Sequence, residues 1–88
     1  MPIISQFYGI TVKIYFKEGD RHHTEHIHIN YNEYEATYDM EGNIIIGNLP
    51  KKQRRMVEAW IEIHEIELRH LWKEIRESGK YFKIDPLK

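Results

Sequence analysis

The chain has 88 residues, 13 Lys and Arg against 14 Asp and Glu, six histidines and no cysteine. Its formal net charge of −1 removes any global electrostatic case for nucleic-acid binding, and the absence of cysteine removes disulfides and thiolate metal sites. A composition of 41% hydrophobic and 12% aromatic residues argues for a folded chain, of a length that admits one hydrophobic core.

A single α+β domain over residues 1–88 is expected, with a β-rich part at 1–49, a helix at 50–79 and a tail at 80–88. The opening Met1-Pro2-Ile3-Ile4-Ser5-Gln6 has no basic stretch leading into an apolar run. Nor does any apolar run reach the roughly 18 residues that a membrane span needs. The expected location is the cytoplasm, with no membrane partner.

Ile3 to Tyr8 reads as a short β segment broken at Gly9. From Ile10 the alternation is strict, with Ile10, Val12, Ile14 and Phe16 on one side and Thr11, Lys13 and Tyr15 on the other, the pattern of a half-buried strand. Turn residues Lys17 to Arg21 follow. Alternation resumes at Ile27, Ile29 and Tyr31 and again at Tyr34, Ala36 and Tyr38, which predicts a hairpin turning at Asn32-Glu33. A second turn at Glu41-Gly42-Asn43 leads to Ile44-Ile45-Ile46, and Gly47 to Pro50 close the sheet. Three to five strands are expected.

Lys51 to Ser78 holds no Gly or Pro, and Val57, Trp60, Ile61, His64, Leu68, Leu71, Trp72 and Ile75 form one stripe at helical spacing. Pro50 suits the start and Gly79 the C-cap. The expectation is a long C-terminal helix packed on a small antiparallel sheet. Met56 and Ile63 lie beside the stripe and Ile66 nearly opposite it. Either the helix bends near His64 to Ile66 or a partner covers this second apolar surface. The tail from Tyr81 to Leu87 returns as an edge strand or packs on the helix.

With the turn at Asn32-Glu33, Tyr31 faces Tyr34, Asn30 faces Glu35, His28 faces Thr37 and His26 faces Asp39. One hairpin face is then core, and the other carries His26, His28, Asn30, Glu35, Thr37 and Asp39. Histidines two apart on a strand point the same way, so His22, His26, His28 and Asp39 are candidate ligands for a divalent transition metal such as zinc. The same two imidazoles, His26 and His28, are candidate catalytic residues as general base and acid, with Asp39 orienting His26. The plain alternative is a solvated polar sheet face.

Lys51, Lys52, Arg54 and Arg55 crowd a helix start whose macrodipole is already positive, a candidate phosphate or anion site or else a solvated basic face. His64, on the stripe, reads as a hydrogen-bonded core or interface residue, and His70 as exposed. Trp60 and Trp72 read as core.

Several short motifs occur in a fixed order: Met1-Pro2-x-Ile4-Ser5-x-Phe7-Tyr8-Gly9-Ile10, Tyr15-Phe16, His26-x-His28, Tyr34-Glu35-Ala36, Leu49-Pro50-Lys51, Trp60-Ile61-Glu62-x-His64 and Phe82-Lys83-Ile84-x-Pro86-Leu87. Together they resemble the bacterial domain of unknown function 4160 family over nearly the whole chain. The family's centre, His-x-Pro-Pro-His-Phe-His, corresponds to His22-His23-Thr24-Glu25-His26-Ile27-His28, so all three histidines carry over while both prolines and the Phe are replaced. Loss of the prolines removes a rigid extended lead-in at His22.

The resemblance implies a small antiparallel sheet with a C-terminal helix and a place in two-gene modules resembling toxin–antitoxin loci. The leading expectation is therefore a protein-binding component with Met56, Ile63 and Ile66 at the interface to a protein partner or a second copy, rather than an enzyme. The alternatives are a ribonuclease or phosphodiesterase acting on RNA, with His26 and His28 as catalysts and Arg54 or Arg55 holding phosphate, and a nonenzymatic metal-binding module.

Overall fold

Two tight turns and one side-chain-braced turn organise the sheet, and the computed structural model describes them within residues 2–15 and 25–88. Among these residues the strands are β1 (Ile3–Phe7), β2 (Ile10–Lys13), β3 (His26–Tyr31), β4 (Tyr34–Asp39) and β5 (Ile44–Gly47), followed by helices α1 (Lys51–Ile63) and α2 (Glu65–Ser78). The strands form one sheet in sequence order, and each pairs antiparallel with the next. The fold is α+β, as expected. Phe16 and the turn residues that follow it lie outside the described residues.

Tyr8 and Gly9 turn β1 into β2 with φ of 50° and 80°, and Asn32 turns β3 into β4 with φ 51°. Asparagine accepts that left-handed conformation better than most residues. The third turn is held by Asp39, whose carboxylate accepts the backbone N–H groups of Glu41 and Asn43, both at 2.9 Å. Gly47, at φ 88°, brings β5 against β4.

Alternation then sorts the faces. Ile10, Val12, Ile14, Ile27, Ile29, Ala36 and Tyr38 are buried and join Val57, Trp60, Ile61, Leu68, Leu71, Trp72 and Ile75 of the helices in one continuous core. Phe7 meets Trp60 with ring centres 5.4 Å apart. The tail closes the β1 edge, because Ile84 donates its N–H to Ile4 O at 2.8 Å, and the Trp60 indole N–H reaches Asp85 O at 2.8 Å. No helix among the described residues is long and apolar enough to cross a membrane.

The expected single helix over 50–79 is corrected to two helices. His64, at φ −110° and ψ 21°, ends α1 and precedes α2. The 28 residues from Lys51 to Ser78 as one helix would span about 42 Å, whereas the longest dimension of the molecule is 34 Å. The interruption lets both halves of one apolar stripe pack on the same core. The start and end signals hold, with Pro50 at the N-cap and Gly79 as a left-handed C-cap at φ 74°.

A Cβ on Gly47 would lie 2.2 Å from Glu35 O and 2.9 Å from Ala36 Cα, with backbone on both sides. Gly47→Ala is therefore expected to lose at least about 2 kcal/mol of stability by chemical denaturation. The loss should appear with faster amide exchange confined at first to β5.

Candidate functional site

The hairpin register is the predicted one, residue for residue, from Tyr31 opposite Tyr34 to His26 opposite Asp39. On the face away from the core, Asn30 Nδ2 donates to Glu35 Oε1 at 3.3 Å, and Thr37 Oγ1 lies 3.5 Å from His28 Nδ1. Tyr15 stacks on His28 with ring centres 4.2 Å apart and planes 20° apart. His28 meets His26 edge to face at 5.1 Å, His26 meets Trp72 at 5.0 Å, and the Arg76 guanidinium sits 4.7 Å over the Trp72 ring. A continuous row of rings thus runs from Tyr15, just after β2, across β3 to α2.

This row corrects the picture of a uniformly solvated polar face, since His26 is 6% exposed. The cause is α2, whose Trp72 covers the start of β3 while Arg69 binds both Glu25 and Glu65. Hydrogen bonding to Glu65 outweighs desolvation and, with Glu25, holds Arg69 more firmly charged than usual. On the core side the Tyr38 hydroxyl donates to Glu58 at 3.2 Å. Burial first, and then the adjacent Glu58 charge, raise this phenol well above its ordinary pKa.

Asp39 stands opposite His26 in register, yet its carboxylate serves the β4–β5 turn, accepting from Asn43 Nδ2 at 3.3 Å as well as from the two backbone amides. No group of three metal-ligating side chains is assembled among the described residues. His22 and His23 lie outside them. Lys51, Lys52, Arg54 and Arg55 are exposed at the start of α1, where Arg54 lies 3.9 Å from Glu58. The cavity that His28 lines with Tyr15, Glu35 and Thr37 includes neither Arg54 nor Arg55.

His64 is hydrogen-bonded as read, with Nδ1 2.5 Å from Glu67 Oε1, and His70 is exposed. Of the three residues read as an interface, Ile63 and Ile66 are 65% and 86% exposed, whereas Met56 is half-buried against the core.

Two features escaped the sequence reading. Ile44, Ile45 and Ile46 are all exposed on the outer strand of the sheet. Their unbroken apolarity points the other way, toward a strand covered on both faces. Tyr8 is exposed in a strained turn, and its signal was the Tyr-Gly pair where Asn-Gly is usual.

The fold and site together define a small α+β protein with a five-strand antiparallel meander, two helices on its core face and a histidine–aromatic row on the other. The chain belongs to the family described as domain of unknown function DUF4160, whose family model matches residues 9–73. No curated protein and no solved structure matches it.

Burial opposes ionisation of Asp39, but the hydrogen bonds from Asn43, Glu41 and Gly42 outweigh it and hold its carboxyl below the usual value. A carboxyl lowered on folding contributes stability above its unfolded pKa of about 3.9, and that contribution is lost as pH falls through the lower folded value. Thermal midpoints are therefore expected to drop on acidification below about pH 4. Asp39→Asn should flatten that drop while costing about 1 kcal/mol at neutral pH.

Proposed function

We propose that this protein is the protein-binding component of a toxin–antitoxin-like two-gene module, acting in the cytoplasm and engaging its partner through the open edge of the sheet. One observation carries the reading. Ile44, Ile45 and Ile46 of β5 are 40%, 49% and 67% exposed, in a strand with no charge and no proline. Edge strands ordinarily carry such residues to block unwanted pairing, and the opposite edge of this sheet is covered by the tail at Ile84. The occupant that suits an apolar edge left unpaired by the described residues is an extended segment of the partner, added as a further strand whose backbone groups pair with those of β5. Ile63 and Ile66 offer a smaller second contact on the helices.

The partner to test is the product of the adjacent gene, co-expressed with this chain. Ile45→Lys with Ile46→Lys is expected to abolish co-purification while changing the melting temperature little, because both side chains are already exposed. Ile63→Glu with Ile66→Glu should weaken the complex without removing it. Undiminished co-purification of the β5 variant would refute the edge as the docking site. Light scattering on the chain alone reports whether a second copy takes the partner's place.

A metal-binding reading is favoured by one distance. Imidazoles bound to one tetrahedral zinc at about 2.0–2.1 Å place their ring centres about 5 Å apart. His26 and His28 stand at 5.1 Å, edge to face. Calorimetric titration with zinc is expected to show stoichiometric uptake that His28→Ala weakens by roughly tenfold or more, a single change that leaves buried His26 in place. Absence of uptake by the parent protein would end this reading.

A further inference from the structure

At the end of β4 opposite Asp39, the β1–β2 turn, the first turns of α1 and the C-terminal tail enclose a cleft of about 610 Å³. Tyr8, Tyr31, Gln53, Met56, Lys52 and Lys88 line it. The volume falls within the range of small-molecule sites, and the lining joins aromatic and apolar groups to a few polar ones, the usual composition of such sites.

The decisive residue is Gln53. It is only 9% exposed, and its side-chain amide has no hydrogen-bond partner among the described residues. The rest of the side chain is buried and holds the amide in place, while its polar atoms stay open to the cleft, where a ligand can supply the partner that the protein does not. The start of α1 adds backbone donors that no side chain caps. Its N-cap is Pro50, no side chain caps it, and its first turn holds no acidic residue. The first-turn N–H groups therefore have no carboxylate or hydroxyl to bind, and Lys52 adds a cation beside them.

Tyr8 supplies the third element. Its φ of 50° is a conformation that bulky side chains seldom take, and the turn would form with less strain around Asn or Gly. The strain leaves the ring on the cleft wall, where Tyr31 is a second aromatic surface. Gly9 sits under Tyr31, and a Cβ there would come within 3.4 Å of that ring.

We propose that this cleft binds a mononucleotide. The base stacks against Tyr8 and Tyr31, the Gln53 amide donates to and accepts from the base edge, and the phosphate lies between Lys52, Lys88 and the α1 N-terminus. The combination selects this class of ligand. Two tyrosines call for a planar ring, an amide for a ring edge with both donors and acceptors, and two ammonium groups at a helix start for a phosphate. The site does not involve β5 and stands independently of the partner-binding role.

The test is a titration of the full chain with each of the four ribonucleoside monophosphates, followed by backbone amide chemical shifts, with the matching nucleosides and inorganic phosphate run separately. The expected result is saturable shifts at Tyr8, Gly9, Lys52, Gln53 and Met56 for at least one nucleotide, binding roughly tenfold or more tighter than its nucleoside or phosphate alone. Gln53→Leu should lower that affinity by roughly tenfold while leaving the melting temperature little changed, since the amide makes no hydrogen bond to the described residues. Tyr8→Asn should lower the affinity likewise, with the melting temperature unchanged or higher because the turn is relieved. Lys52→Ala should bring the nucleotide down to the affinity of its nucleoside. The proposal is overturned if no nucleotide shifts these amides at millimolar concentration, if the shifts centre elsewhere, or if Gln53→Leu binds as tightly as the parent. Equal binding of nucleoside and nucleotide, or of phosphate and nucleotide, would overturn it as well.

Discussion

In the β3–β4 hairpin, Asn32 takes a left-handed backbone, and the pairing this turn imposes governs the rest of the molecule. Side chains on a strand alternate with a period of two, so a slip of one residue would exchange the two faces. Ile27, Ile29 and Tyr38 would face out, and His26, His28 and Thr37 would face the helices. The slip would expose three fully buried apolar side chains and bury polar ones without partners, a penalty well above the few kcal/mol by which small domains are stable. β2 reads its register from β3, with Val12 opposite Ile29, and β5 reads its own from β4.

The helices answer the face that this register creates. Trp60 meets Phe7 and binds the tail, Tyr38 reaches Glu58, and α2 continues the same stripe with Leu68, Leu71 and Ile75 after the break at His64. The break has a second effect. It allows α2 to lie where Arg69 meets Glu25 and Trp72 covers His26, so one end of the outward face becomes partly enclosed. The histidine row therefore owes its geometry to a helix distant in sequence as well as to its own strand.

Three surfaces with different chemistry result. The β5 edge is apolar and offers backbone pairing, which suits a protein segment. The histidine–aromatic row has two imidazoles at a separation that suits a shared ion. The cleft at the other end of the sheet has unspent hydrogen-bonding capacity next to cations and tyrosines. Tyr15 and His28 of the row line one cavity together with Ile46 and Gly47 of β5, so the first two surfaces adjoin, whereas the cleft shares no lining residue with them.

Much of this was legible in the residue pattern. The strict alternation at Ile10 to Ile14, Ile27 to Tyr31 and Tyr34 to Tyr38 set the strands and their inward faces, and Asn32 set the turn and with it each cross-strand pair of the histidine face. The stripe from Val57 to Ile75 named the buried apolar residues of the helices correctly, and the ordered motifs identified the family. These signals are local, because period two and period 3.6 report which side of an element is apolar. What covers each side depends on contacts between residues far apart in sequence, and only the tertiary structure decided it. The His64 break follows from the size of the core, the burial of His26 from Trp72 lying over it, and the engagement of Asp39 from the turn that follows β4. The exposure of Ile44 to Ile46 follows from β5 being last in the sheet. Gln53 shows the limit most plainly, since an amide in a helical sequence reads as surface, and its placement as a mostly buried residue that lines a cleft exists only where the first turns of α1 meet Tyr8 and Tyr31.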